Sequence, residues 1–153
     1  MNEFYEILNK QLEALAEGVD YEMSILANAS ALLFHSLDRL NWAGFYIMKD
    51  GLLKLGPFQG EVACVRIPVG KGVCGSAVAQ NRTLRVEDVH QFPGHIACDA
   101  KSNSEIVIPI HVHGDIYGVL DIDSPVLNRF GLEDEVGLEN FVRILEKLLE
   151  NLA

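Results

Sequence analysis

The sequence predicts an α+β fold with a mainly antiparallel sheet, and three observations carry that reading. Helical periodicity is confined to the two ends of the chain. Short apolar runs with β character fill the middle, and tight turns join neighbouring runs. The order is therefore helices, strands, a loop-rich middle, two strands and a helix, which is the α+β pattern rather than an alternating one.

Phe4, Leu8, Leu12 and Leu15 fall at steps of four, four and three, one face of a first helix that Gly18 and Asp20 end. A second helix runs from Glu22 to about Leu37, apolar on most sides, as suits a helix lying on a sheet. Strand character begins at Asn41 to Met48, and Asp50-Gly51 is a hairpin signal before the returning strand Leu52 to Phe58. Cys64 to Ile67 is short and β-like. Gly70-Lys71-Gly72 leads into a short helix from Val73 to Gln80, and Thr83 to Val86 is another short strand. The Gly70–Gly75 run lacks the Gly-Lys-Ser/Thr ending of a phosphate loop. Glu87 to Asn103 forms a long loop, a feature that inside a compact domain is often functional. Glu105 to Val112 and Ile116 to Ile122 are the two strongest strands, joined at His113-Gly114-Asp115. Leu138, Phe141, Val142, Leu145, Leu148, Leu149 and Leu152 then stripe a terminal helix.

At 153 residues, 49% of them apolar, residues 1–153 read as one domain large enough to bury a core. Twelve basic against 22 acidic residues leave a formal net charge of −10. Such a chain repels nucleic acid and anionic membrane surfaces, and its apolar runs are too short to span a bilayer. Met1-Asn2-Glu3-Phe4 has neither the basic nor the apolar stretch of a secretory leader, so a reducing, cytoplasmic setting is expected. Three cysteines argue against a static disulfide framework. Their spacing, nine and then 23 intervening residues, contains no C-x-x-C pair, and no structural metal is expected.

All three cysteines fall between Cys64 and Glu105. Cys98 sits in the long loop beside His95 and Asp99. It reads either as a nucleophile, its thiolate favoured by a nearby imidazolium, or as a small buried apolar residue. Cys74 follows Gly72 at a helix N-terminus, where the helix dipole favours a thiolate; the alternative is a core plug. Cys64 lies in a strand and reads first as core. What raises all three is company, because a redox cycle needs a second thiol near the first.

Asp121 and Asp123 alternate on one strand, so both point to one face, and Glu105 opens the preceding strand. Acidic residues are depleted in strands. The group reads as a site that manages a proton or a cation, or as an ordinary solvent-facing strand end. Trp42 and Tyr46 share a strand face and either wall an apolar pocket or pack in the core. His90, His95, His111 and His113 offer a second, metal-binding reading.

Taken together, these segments resemble the free methionine-(R)-sulfoxide reductases, a family built on a single GAF domain. The resemblance runs through Asn41–Tyr46, Leu55–Gly60, Cys64–Ile67, Gly72–Gly75, Asp88–Asp99, Ser102–Val107 and Gly118–Pro125, which is most of the chain in order. It implies a sheet of about six strands flanked by helices. It implies that Cys98 is the catalytic cysteine, with Cys64 and Cys74 as the two resolving candidates. It implies that Glu105, Asp121 and Asp123 are the pocket carboxylates and that Trp42 faces the substrate. The implied reaction converts free L-methionine-(R)-sulfoxide to L-methionine through a cysteine sulfenic acid, then a disulfide, with thioredoxin or a similar dithiol as reductant and no cofactor. An acid crowded by its neighbours would be the proton donor. The apolar stripes of the two terminal helices suit either a homodimer that pairs through them or packing on their own sheet. The alternative from another class is a GAF module that senses a ligand without catalysis, and it predicts no thiol-dependent turnover.

Overall fold

A six-stranded sheet, every neighbouring pair antiparallel, divides the molecule into two layers. The computed structural model describes residues 2–96, 98 and 100–152; Asp99, which flanks Cys98 in the sequence, lies outside them. In chain order the elements are α1 (Glu3–Ala16), α2 (Glu22–Ser36), β1 (Trp42–Lys49), β2 (Leu52–Gly60), β3 (Arg66–Ile67), α3 (Gly72–Gln80), β4 (Leu84–Val86), β5 (Ser104–Val112), β6 (Asp115–Ser124) and α4 (Leu132–Glu150). The strand order is β3-β2-β1-β6-β5-β4. The long loop contains one 3-10 turn, Val89–Gln91.

The two hairpins turn where the sequence predicts. Asp50 and Gly51 both take positive φ, as do His113 and Gly114, the geometry of a two-residue turn whose twist matches that of the flanking strands. β6 extends two residues beyond the predicted Ile122, to Ser124, because it pairs with both β1 and β5 up to that point.

One layer is a continuous apolar core. Ala43 and Phe45 of β1, Ile106, Ile108 and Ile110 of β5, and Leu120 and Ile122 of β6 pack beneath α1, α2 and α4. The buried face of α1 is Tyr5, Leu8, Leu12 and Ala16, rather than the predicted Phe4-Leu8-Leu12-Leu15. Phe4 and Leu15 are exposed. The rotation follows from α4, where Gly137 leaves room for the Tyr5 ring: a Cβ there would sit 2.1 Å from it. The Tyr5 hydroxyl donates to Asp134, also on α4, at 2.6 Å.

The stripe on α4 is as predicted, with Leu138, Phe141, Val142, Leu145 and Leu149 buried and Leu148 and Leu152 at its margin. α1 and α4 lie against each other in the same chain, and Phe141 and Leu145 are fully covered there. These stripe residues are therefore spent within one chain and are not a free surface for pairing. Among the described residues no helix is long and apolar enough to cross a membrane.

Candidate active site

The other layer is mixed. The residues that alternate with the apolar core on β1, β5 and β6 point to the opposite face, where α3 and two loops cover them. The strand register sets the acids side by side. Trp42 pairs with Asp123, Gly44 with Asp121, and Glu105 with Asp123. All three carboxylates thus come from the end of the sheet where β1, β6 and β5 run together.

These residues line a partly open cavity of about 40 Å³ with Trp42 and Tyr46 at one side. The start of α3 (Lys71 to Cys74) and the loop residues His95, Ile96 and Cys98 form the cover. Two glycines make that cover fit. Gly72 has φ +61 at the first turn of α3, and its N–H donates to the carbonyl of Gly94 at 3.1 Å, tying helix to loop. Gly75 lies so close to the Pro68 carbonyl oxygen that a Cβ would come within 2.3 Å.

The aromatic pair does more than wall the cavity. Trp42 stacks between Tyr46 and Phe58. Its indole N–H donates to the Glu61 carbonyl at 3.2 Å, and the Tyr46 hydroxyl donates to the Cys64 carbonyl at 2.9 Å. Both therefore hold the segment that carries Cys64. Cys64 and Cys98 are joined by a disulfide, with Cα atoms 5.4 Å apart and 34 positions apart in sequence. Cys98 lines the cavity and Cys64 does not.

Cys74 is the free thiol, and it is buried. The expectation of a thiolate activated by the helix dipole is corrected here. Burial pushes the thiol well above its ordinary range, and Asp121, Glu105 and Asp123 push the same way. Its Sγ lies 4.0 Å from Glu105 Oε2, so it faces carboxylates rather than a cation.

The three acids are not a solvated strand end. Glu105 and Asp121 are buried. Glu105 is held well above the usual carboxylate range, first by burial and then by Asp121 and Asp123. Asp123 is also raised, by burial and by Asp121, while a hydrogen bond from Ser102 at 2.8 Å pulls the other way. Among the described residues, Oδ1 of Asp121 and Oδ1 of Asp123 are buried without a hydrogen-bond partner. Such orphaned acceptors mark a place built for a donor from outside the chain.

The sulfur of Cys74 and carboxylate oxygens of Glu105 and Asp121 lie within 4.8 Å of one another, a spacing that suits a cation or an ammonium group. The histidines do not converge as the metal reading requires. His90 and His95 are neighbours, with ring centroids 5.9 Å apart, and only His95 lines the cavity. His111 instead bonds Asn81 and faces Glu146, and His113 sits in the β5–β6 turn. His95 titrates below its ordinary range because of burial and His90, so it is a neutral imidazole rather than the imidazolium expected beside Cys98.

Ser102 and Asn41 were not legible as site residues. Asn41 donates to Ser102 at 3.0 Å, and Ser102 donates to Asp123. The signal available was the polar run Ser102-Asn103-Ser104 leading directly into Glu105.

A cavity against the loop-covered face of an antiparallel sheet, with helices filling the opposite face, is the arrangement of a GAF domain. The GAF domain model matches residues 4–149, and the chain belongs to that family. A free methionine-R-sulfoxide reductase of Escherichia coli (strain K12) is 60% identical over 147 residues, covering 96% of this chain and 89% of that protein. The protein of the same name from Saccharomyces cerevisiae is 42% identical, covering 95% and 85%. The X-ray structure of free methionine-R-sulfoxide reductase from Neisseria meningitidis in complex with its substrate superposes with a TM-score of 0.92 at 41% identity, over 95% of this chain and 88% of that one. Within the GAF family the chain therefore groups with the free methionine-R-sulfoxide reductases.

Proposed function

We propose that the protein reduces free L-methionine-(R)-sulfoxide to L-methionine, with Cys98 as the nucleophile. One observation carries this reading. Cys98, already paired with a second cysteine, opens on the same cavity as three crowded carboxyl groups. A sensing module needs neither the paired thiols nor a buried acid held neutral.

The chemistry follows from that arrangement. With the disulfide reduced, the Cys98 thiolate attacks the sulfoxide sulfur. Glu105, protonated at neutral pH because burial and two neighbouring acids disfavour its charge, gives its proton to the sulfoxide oxygen. The hydroxyl then passes from the methionine sulfur to Cys98 as the bond between the two sulfurs breaks, so that methionine departs as the thioether and Cys98 is left as a sulfenic acid. The Cys64 thiol condenses with it, water leaves, and the Cys64–Cys98 disulfide forms. Cys74, a protonated thiol among carboxyls, is a spare resolving group and not the first to react.

The free amino acid explains the remaining features. The orphaned oxygens of Asp121 and Asp123 accept hydrogen bonds from its ammonium group. Among the described residues no side chain caps the N-terminus of α3, and that end lines the cavity, so its N–H groups suit the carboxylate. Trp42 and Tyr46 flank the thioether end. A thioredoxin-type dithiol in the cytoplasm resets the enzyme. A homodimer would use a surface other than the covered α4 stripe, such as the outward residues Phe4 and Ile7 of α1.

The test is thioredoxin-coupled NADPH oxidation with free methionine-(R)-sulfoxide, the (S) epimer and a blocked peptide analogue. Turnover is expected with the free (R) epimer alone. Equal rates with the blocked analogue would remove the ammonium and carboxylate subsites, and no thiol-dependent turnover would favour the sensing module.

A further inference from the structure

The two sulfurs of the disulfide are not equivalent, and we propose that the protein dithiol that resets the enzyme docks on the apolar rim around Cys64 and attacks Cys64 rather than Cys98. The inference rests on the reductase reading above and adds which sulfur is the electrophile and what surface presents it. Cys98 faces the cavity, whereas Cys64 does not line it and lies on the outer loop. That loop exposes Val62 at 87% and Val65 at 58%, flanking Cys64 on both sides. Ile96, two residues before Cys98, is also exposed and packs over Gly72. Exposed aliphatic side chains matter where they cluster, and here they surround a bond that an outside thiol must reach.

Charge supports an acidic partner. The chain carries a net −10, yet Arg66 and Lys71 beside this rim are exposed, and among the described residues neither forms an ion pair. Two unneutralised cations next to an apolar rim on an otherwise acidic protein steer an acidic reductant to this face and away from the rest. The segment is also held in place, since the Tyr46 hydroxyl bonds the Cys64 carbonyl and the Trp42 indole bonds that of Glu61.

The exchange balances as follows. A thiolate of the reductant bonds to Cys64 Sγ, and the Cys64–Cys98 bond breaks with its electron pair going to Cys98. Cys98 is thereby returned as a thiolate facing the cavity, ready for the next substrate. The reductant's second thiol then attacks its own linked sulfur, releasing Cys64, which takes a proton. The reductant leaves as a disulfide and the enzyme has gained two electrons.

The experiment has two arms. Oxidised enzyme is mixed with thioredoxin whose second cysteine is serine, quenched in acid within milliseconds to seconds, and digested. The adduct is expected on the peptide containing Cys64; an adduct on the peptide containing Cys98 at the earliest times overturns the assignment. In the second arm, the double variant Val62→Glu, Val65→Glu is driven by thioredoxin or by dithiothreitol. The KM for thioredoxin is expected to rise about tenfold, as apolar contacts are lost and like charges meet, while the dithiothreitol-driven rate stays at the wild-type value. An unchanged KM for thioredoxin overturns the docking surface. Absence of dithiothreitol-driven turnover in the wild-type enzyme would instead strike at the reductase reading itself.

Discussion

From Ile106 to Ile110 and from Leu120 to Ile122, each residue of β5 and β6 that faces α1, α2 and α4 is apolar, while the alternate positions on the same strands include Glu105, Asp121 and Asp123. One pleat separates the two. The helix-covered face is a conventional core in which burial of aliphatic surface stabilises the fold. The loop-covered face buries three carboxyl groups close together, which costs stability unless they stay protonated or meet a partner. The strands thus carry stability and chemistry on opposite sides, and changes to one should leave the other largely intact.

The most damaging change on the loop-covered face is Cys98→Ser. Turnover should fall below about 1% of wild type, since a hydroxyl without a paired base is a poor nucleophile. The melting temperature measured under reducing conditions should not move. Residual activity well above that level would transfer the role to Cys74. On the opposite face, Phe45→Ala should lower stability by about 3–5 kcal/mol, the usual cost of emptying a buried aromatic site. Denaturant titration reads this, and kcat per folded molecule should match wild type; a selective loss of kcat would break the separation of the two faces.

A smaller effect is expected from Ser102→Ala. Without the Ser102 hydroxyl, Asp123 loses the larger of the two hydrogen bonds that favour its charged form, the other coming from Glu105, and becomes a weaker anchor for the ammonium group. The KM for methionine sulfoxide should rise about tenfold, the worth of one hydrogen bond to a charged group. An unchanged KM would place the ammonium elsewhere.

Much of this site was legible before the fold was described. Asp121 and Asp123 share a face because strand side chains alternate, and that inference needs only two residues and a strand. The hairpins were legible from Asp50-Gly51 and His113-Gly114, since turn geometry is local. What was not legible depends on contacts distant in sequence. Whether the acids face water or a cavity is decided by the start of α3 and by His95, Ile96 and Cys98 of the long loop closing over them. The phase of α1 is decided by Gly137, more than 130 positions away, which admits Tyr5 and turns Phe4 outward. The expected thiolate at Cys74 rested on a local dipole, and three carboxyl groups brought from β5 and β6 outweigh it.

The most direct test of the division between the faces is Glu105→Gln, with melting temperature and turnover measured on the same sample across pH. Glu105 binds its proton more tightly in the folded chain than in the unfolded chain, where it titrates near 4.3. Its contribution to stability is therefore complete below that value and is lost as pH rises toward the elevated folded pKa. Glutamine keeps the shape and abolishes the titration. The variant should melt higher than wild type at pH 7, by about 2–4 °C for each kcal/mol relieved, with the gain vanishing near pH 4. Its turnover should fall by about 10²–10⁴, the contribution of a general acid, and wild-type turnover should decline as pH rises and Glu105 ionises. A variant that melts lower at pH 7 and turns over at the wild-type rate would contradict the account.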